Sequence, residues 1–128
     1  WNKVGMGRTP EGLREAIREI EEVKNDFWKN VKVPGDVEGM NTELEKAGRV
    51  ADFLELGELM ALDALERKES CGGHFREESQ TEEGEAMRDD ENFAYAAAWE
   101  WTGDPGKSKM HKEELTFNDI ELKQRSYK

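Results

Sequence analysis

Two long amphipathic patterns, separated by a Pro-Gly turn, constrain the fold of this chain more than any other feature. In the first pattern, apolar residues recur every three or four positions, at Leu13, Ile17, Ile20, Val23, Phe27 and Val31. This spacing places them on one side of an α-helix. Thr9-Pro10 is a typical helix start, because Thr can cap free N–H groups and Pro fits the first helical position. The sequence therefore predicts a helix over about residues 10–31.

A second helix is predicted over about residues 42–69. Pro34-Gly35 ends the first pattern, and Thr42 followed by Glu45 matches a capping box. One stripe of the second pattern consists of Leu44, Ala47, Ala51, Leu54, Ala61 and Leu65. Further apolar residues lie around the middle of the helix, namely Phe53, Leu56, Leu59, Met60 and Leu62. Because a helix that is apolar on most sides is normally buried on most sides, we expect a third helix or another domain to cover it.

Glycines and acidic residues follow the second pattern. Gly72-Gly73 is predicted to stop the helix, since glycine readily adopts the left-handed conformation found at helix ends. Residues 71–92 are rich in acidic side chains and poor in apolar ones, which predicts a loop. Within it, one helical turn is expected near Glu82–Met87.

The last third of the chain is predicted to form a β-hairpin over about residues 94–115. Tyr95, Ala97, Trp99 and Trp101 alternate with smaller or polar residues, and this two-residue period is typical of a strand. Thr102–Gly106 is a turn signal. Lys109–Leu115 is the expected partner strand, and a short extended piece is expected near Ile120–Leu122.

Composition excludes several classes of function. The chain has 128 residues, the size of one domain, and 38% of them are charged, with a net charge of −11. A surface this acidic repels phosphate backbones, so nucleic acid is excluded as a partner. The single cysteine excludes an internal disulfide, and no 18-residue apolar run is available for a membrane span. The chain opens on Trp1 without an initiator Met, which indicates a fragment of a larger protein.

Cysteine, histidine and carboxylates near the end of the second helix are the candidates for chemistry. Cys71-x-x-His74 is a lone pair, whereas structural zinc needs four ligands. A Cys71/His74 nucleophilic dyad lacks a recognisable orienting group. Arg76 and Arg88 are predicted to pair with the neighbouring acids. We therefore predict no catalytic, cofactor-binding or metal-binding residue, and the chain is interpreted as an acidic helical packing module.

Residues 67–77 read Arg-Lys-Glu-Ser-Cys-Gly-Gly-His-Phe-Arg-Glu. This segment resembles the C-terminal domain of the flavoprotein subunit of fumarate reductase and succinate dehydrogenase, where the family has Arg-Lys-Glu-Ser-Arg-Gly-Ala-His-x-Arg-Glu. Residues 88–93 read Arg-Asp-Asp-Glu-Asn-Phe, where the family has Arg-Asp-Asp-Glu-x-Trp. Weaker similarity lies at residues 1–8, 41–44 and 125–127, so the resemblance covers nearly the whole chain. L-Aspartate oxidases share much of this pattern.

The chain also departs from the family pattern. Cys71 replaces an Arg, Gly73 an Ala, Glu78 an Asp and Phe93 a Trp, and the loop over residues 79–87 is longer. These departures indicate a divergent branch and put in doubt any role that depends on the missing Arg.

The resemblance implies a mostly α fold, an antiparallel, spectrin-repeat-like helical bundle with its first helix truncated, followed by a small β-hairpin. It implies a parent that binds FAD, interconverts succinate and fumarate, and passes electrons to an iron-sulfur subunit and a membrane anchor subunit with a quinone site. That complex would lie on the cytoplasmic side of the bacterial inner membrane. The family's flavin and dicarboxylate residues map outside this chain, which would itself be non-catalytic and pack on the flavin-binding domain.

The resemblance also suggests candidates for the interface between domains. They are Glu69, Ser70, Gly72, Gly73, His74, Arg76, Arg88, Asp89 and Asp90. Two alternatives remain open from the sequence: a free-standing acidic adaptor that binds a partner protein through the second helix, and the equivalent domain of an L-aspartate oxidase.

Overall fold

Two long helices pack side by side and are followed by a β-hairpin. The computed structural model describes residues 1–104, 107–124 and 126. Helix α1 spans Pro10–Asn30 and helix α2 spans Thr42–Glu66. The shorter elements are strand β1 (Gly7–Arg8), strand β2 (Phe75–Arg76), helix α3 (Asp90–Phe93), strand β3 (Tyr95–Glu100) and strand β4 (Lys109–Glu114). The predicted fold class, a mostly α antiparallel helical arrangement with a small hairpin, is confirmed.

Helices α1 and α2 pack through small and aliphatic side chains. Leu13 and Ala16 of α1 and Ala61 and Ala64 of α2 are buried. Lys24 Nζ lies 2.6 Å from Glu58 Oε2, and the two side chains are only 15% and 13% exposed. This ion pair joins the middle of one helix to the middle of the other.

The start of helix α2 differs from the prediction. Asn41, not Thr42, caps the helix: its Oδ1 accepts hydrogen bonds from the backbone N–H groups of Glu43 and Leu44, both at 3.1 Å. Thr42 is already inside the helix. The Asn41 amide also donates to the Pro34 carbonyl at 3.1 Å, so the cap is tied to the interhelical loop, which residue spacing alone does not reveal.

The predicted end of helix α2 is wrong by three residues. The helix ends at Glu66, and Arg67 adopts an extended conformation with ψ of 101°. Gly72-Gly73 therefore does not stop the helix. It forms the two-residue turn between Cys71 and His74, whose backbones bond to each other, and Gly72 has a φ of +59° that favours glycine. Arg67, Lys68 and Glu69 are good helix formers, so tertiary contacts override propensity here.

The acidic segment 71–92 is more ordered than predicted. Strand β2 pairs in parallel with β1, with Gly7 opposite Phe75 and Arg8 opposite Arg76. The helical turn expected near Glu82–Met87 is absent. That segment instead folds back on itself with a bridge between Gln80 and Ala86, and the short helix lies at Asp90–Phe93.

Strands β3 and β4 form the antiparallel hairpin, with Tyr95 opposite Glu114 and Glu100 opposite Lys109. Tyr95 is buried whereas Ala96 is exposed, as the alternating pattern predicts. The Trp99 indole Nε1 donates to Asp63 Oδ1 at 2.7 Å, which fastens the hairpin to helix α2. Two residues of the predicted turn, Pro105 and Gly106, lie outside the described residues.

The two ends of the chain contribute short pieces. Residues 1–5 form a single turn closed by a hydrogen bond from Gly5 N–H to the Trp1 carbonyl. Ile120–Leu122 forms no strand. Of the C-terminal residues that resemble the family, Arg125 and Tyr127 lie outside the described residues. Within the described part of the chain, no helix is both long and apolar enough to cross a membrane.

Much of the apolar surface is left uncovered. Among described residues, the buried apolar set is limited to Leu13, Ala16, Ala61, Ala64 and Tyr95. Large apolar residues on α1 and α2 are exposed, among them Val23, Trp28, Leu44, Val50, Phe53, Leu56 and Met60. This agrees with the expectation that helix α2 needs a further packing partner, since monomeric domains rarely leave such contiguous surface in water.

Candidate functional site

A network of side-chain hydrogen bonds lies where helix α2 ends. We call it the α2 junction and define it as Arg67, Glu69, Ser70, His74 and Arg76. Strand β2, the turn at Gly72-Gly73 and the N-terminal strand β1 bring these residues together. The junction is built from charged and polar side chains that bond to one another and to backbone groups.

Arg76 caps the C-terminal end of helix α2. Its side chain is 2% exposed, and Nη1 lies 2.8, 3.3 and 3.1 Å from the backbone oxygens of Ala64, Leu65 and Arg67. Carbonyls in the last turn have no partner within the helix and carry partial negative charge. A buried guanidinium is therefore stabilised by that helix end.

Glu78 supplies the counter-charge to Arg76. Its Oε1 accepts from Arg76 Nε at 2.9 Å and from Nη2 at 2.5 Å. Burial alone would raise the pKa of Glu78, but the hydrogen bonds and positive charge of Arg76 lower it below its ordinary value. The carboxylate therefore stays ionised, and the predicted pairing of Arg76 with a neighbouring acid is observed.

Ser70 and Glu69 hold the loop that follows the helix. Ser70 is fully buried: its Oγ accepts from the Arg76 backbone N–H at 2.8 Å and donates to the Arg76 carbonyl at 3.2 Å. Glu69 is 3% exposed, with Oε2 accepting from the Asp89 backbone N–H at 2.8 Å. Both side chains therefore hold this loop through hydrogen bonds to backbone groups.

Arg67 connects the junction to the hairpin. Nη1 donates to Glu69 Oε1 at 2.7 Å and to the Phe93 carbonyl at 3.0 Å, and Nη2 donates to the Tyr95 carbonyl at 3.1 Å. The guanidinium carbon lies 4.9 Å from the centre of the Tyr95 ring, a cation–π contact. Helix α2 and the hairpin are thus held in a defined relative position.

His74 connects the junction to the N-terminal segment. Its Nε2 lies 2.8 Å from the Arg67 carbonyl oxygen, and its Nδ1 lies 2.7 Å from Arg8 Nη1. A carbonyl can only accept and a guanidinium can only donate, so the ring is neutral with its proton on Nε2. Arg8 also donates to the carbonyls of Gly5 and Val4. Arg8 and His74 are 66 positions apart, so no local signal in the sequence predicts this contact.

The remaining interface candidates lie around the junction. Gly72 and Gly73 are exposed, and Asp89 caps helix α3 by accepting from the Asn92 backbone N–H. Arg88 pairs with Asp90 through two hydrogen bonds of 2.9 and 2.6 Å, as predicted. Of the candidate set, Glu69, Ser70 and Arg76 are buried, Gly72, Gly73 and Asp90 are exposed, and His74, Arg88 and Asp89 are partly buried.

The Cys71/His74 pair has no geometry for chemistry. Both ring nitrogens of His74 already have partners, and Cys71 is exposed. Across the residues that the structure describes, no group of three or more His, Cys, Asp or Glu side chains is placed to hold a metal ion. The residues at the junction hold the chain together and present no assembled nucleophile and base.

An apolar groove lies beside the helix pair. It is a cavity of about 520 Å³ formed by the N-terminal turn, α1 and α2, lined by residues that include Trp1, Val4, Ile20, Val23 and Leu54. Its walls are largely apolar. On helix α2, Val50 and Phe53 are 45% and 64% exposed. We call this groove, together with Val50 and Phe53, the apolar face.

The fold defined by the helix pair and hairpin is that of a helical domain of quinol–fumarate reductase chains. It superposes on the FrdA chain of Escherichia coli quinol fumarate reductase with a TM-score of 0.76 at 26% identity. It superposes on a quinol–fumarate reductase containing menaquinol molecules with a TM-score of 0.77 at 28% identity. Each match covers 94% of this chain and 20% of the other.

The family model described as fumarate reductase flavoprotein C-term matches residues 1–127. The chain belongs to this family. Its relatives include the fumarate reductase flavoprotein subunits of Proteus vulgaris, 37% identical over 70% of this chain, and Helicobacter pylori, 31% identical over 94% of it. The chain spans only 14% and 16% of the length of these two relatives.

Proposed function

We propose that this chain is the C-terminal packing and docking domain of a succinate dehydrogenase or fumarate reductase flavoprotein subunit. The parent would use FAD to interconvert succinate and fumarate and pass electrons to an iron-sulfur subunit and a membrane anchor subunit with a quinone site. It would lie peripherally on the cytoplasmic side of the bacterial inner membrane. The domain would span residues 1–128 of a longer chain and take no part in the reaction by itself.

The observation that carries this proposal is the uncovered apolar face. Val23, Val50 and Phe53 are 53%, 45% and 64% exposed. Their burial against the flavin-binding domain would remove apolar surface from water, the main favourable term in association. The junction meanwhile holds the helices and hairpin in one arrangement. Exposed apolar side chains held in a defined arrangement support a docking role.

The exposed residues around the junction extend the proposed contact. Gly72 and Gly73 have open space at their Cα atoms, so a neighbouring backbone can approach them closely. Arg88, Asp89 and Asp90 offer charged groups at the edge. The buried candidates Glu69, Ser70 and Arg76 would not contact the neighbouring domain, and they hold the loop that carries these residues.

A charge placed in the apolar face tests the docking role. In the isolated chain, Phe53→Asp should change the free energy of unfolding by less than about 0.5 kcal/mol, because the ring is mostly in water. In the parent flavoprotein, the same substitution should cost several kcal/mol, because the carboxylate would be buried without a partner. Thermal unfolding of both proteins measures the difference in stability. In the parent, the rise in flavin fluorescence on unfolding is a second readout.

Val37→Asp is the matched control, since Val37 is 96% exposed in the interhelical loop. It should have little effect in either protein. Equal and small effects of Phe53→Asp in both proteins would contradict docking through this face.

The non-catalytic role has its own test. We expect titration of the isolated chain with FAD, and then with fumarate, to give no saturable heat or fluorescence change at micromolar concentrations. The reason is that the junction residues already bond to one another. Stoichiometric micromolar binding of either compound, or reduction of fumarate by the chain with a reduced dye, would overturn this part of the proposal.

A further inference from the structure

We propose that His74 is a pH-sensitive latch that holds the N-terminal segment, residues 1–8, on the α2 junction, and that a second proton on its ring releases this segment. The latch consists of the two hydrogen bonds of His74, to Arg8 and to the Arg67 carbonyl. It can be measured on this chain by itself, and it bears on the proposed docking role because Trp1 and Val4 of the segment line the apolar face.

Geometry makes the contact with Arg8 sensitive to protonation. Nδ1 of His74 accepts from Arg8 Nη1 at 2.7 Å, and it can do so only while it carries a lone pair. A proton on Nδ1 removes that acceptor and places an imidazolium directly against a guanidinium. The hydrogen bond is then replaced by repulsion between like charges. The bond from Nε2 to the Arg67 carbonyl survives, because Nε2 remains a donor.

The charged groups around His74 strengthen this effect. Arg8 approaches from β1, Arg67 from the end of α2 and Arg76 from β2. Burial lowers the pKa of His74, the Arg67 carbonyl raises it, and the three arginines lower it further, so that it lies below its ordinary value. Glu78 is the acidic residue that interacts with His74, and its carboxylate is already hydrogen-bonded to Arg76. Burial lowers the pKa of Arg8, and the negative charge of Asp63 opposes this shift.

The sign of the linkage follows from the lowered pKa. The unfolded or released chain binds a proton at His74 more readily than the latched chain, so latching is stabilised by rising pH. The full contribution is present above the ordinary pKa of about 6.5 and is lost as the pH falls through the lowered value.

Little else holds the N-terminal segment against the junction. Within the described residues, the backbone bonds of the β1–β2 pairing are those from Phe75 N–H to the Met6 carbonyl at 3.1 Å and from Glu77 N–H to the Arg8 carbonyl at 3.0 Å. Lys3 pairs with Glu15 and Glu19 on α1, at a distance from the junction. Loss of the latch therefore weakens a two-residue pairing that has no neighbouring strand.

Hydrogen exchange at the two reporting amides tests the latch. Protection of the Phe75 and Glu77 amides, corrected for intrinsic exchange, should fall about tenfold between roughly pH 7.5 and pH 5, the factor that 1.4 kcal/mol represents. His74→Gln should abolish this dependence, because the amide can accept from Arg8 and donate to the Arg67 carbonyl but does not titrate. Protection that is independent of pH in the unmodified chain, or equally dependent in His74→Gln, overturns the proposal.

His111→Gln is the matched control, since His111 is the other of the chain's two histidines and lies exposed on β4 beside Glu100. It should leave the protection of both amides unchanged. A second measurement remains if His74→Gln does not fold: long-range ¹H–¹⁵N correlation of the unmodified chain should show the Nε2–H tautomer of His74 near neutral pH. The Nδ1–H tautomer would overturn the latch.

Discussion

Replacing Arg76 with Ala is expected to lower the free energy of unfolding by about 2–5 kcal/mol, because the guanidinium is the buried donor to backbone oxygens at the end of helix α2. The side chain is 2% exposed and bonds to three backbone oxygens at the end of helix α2. Its removal deprives the Ala64 and Leu65 oxygens of this donor, whereas the Arg67 oxygen keeps its bond from His74. Each unsatisfied buried group costs about 1–3 kcal/mol. A domain of this size is stable by about 5–15 kcal/mol, so chemical denaturation should show a large shift.

Arg88→Ala is the control for that experiment. Arg88 also pairs with an acid two positions away, but its side chain and that of Asp90 are 26% and 39% exposed. Surface pairs contribute about 0–1 kcal/mol, so the loss should be small. Arg76→Lys should give an intermediate loss, because Lys keeps the charge but lacks the planar fork that reaches both the helix end and Glu78. A loss for Arg76→Ala no larger than for Arg88→Ala would contradict the capping role.

Leu13→Ala is the other substitution with a large expected effect, about 2–5 kcal/mol. Leu13 is 0% exposed in the first turn of helix α1, and it is the largest apolar side chain among the fully buried residues that the structure describes. Truncation removes buried methyl groups and leaves a cavity that the surrounding helices can only partly fill. Urea denaturation, compared at constant m-value, measures the change.

Leu44→Ala provides a closely matched comparison. Leu44 occupies the first turn of helix α2, so the helix propensities of the two substitutions are comparable. It is 59% exposed, and its truncation should cost less than about 1 kcal/mol in the isolated chain. Similar losses for the two variants would mean that Leu13 does not belong to the core.

Local interactions account for what sequence reasoning predicted about the junction. Arg76 pairs with Glu78 and Arg88 pairs with Asp90, each two positions along the chain. Thr9 caps helix α1 by accepting from the Gly12 backbone N–H three positions away. Contacts of this kind depend on residue order alone, so they can be inferred without knowledge of the fold.

Long-range contacts account for what sequence reasoning missed. Arg67 and Arg8 are central to the junction, yet their partners lie 28 and 66 positions away. The segment Arg67-Lys68-Glu69 has the composition of a helix and was predicted as one. It leaves the helix because the Arg67 carbonyl instead accepts from His74 and Arg76.

The sequence by itself determined the two helices and the hairpin, because periodicity and turn residues are properties of neighbouring positions. The tertiary structure decided where helix α2 ends and which charged side chains are buried. It also decided that Glu69, Ser70 and Arg76 are buried and bond to groups of the same chain, while the apolar face is exposed to solvent. These outcomes depend on which distant segments meet, and the free energy of burying an arginine is favourable only where carbonyls and a carboxylate converge on it.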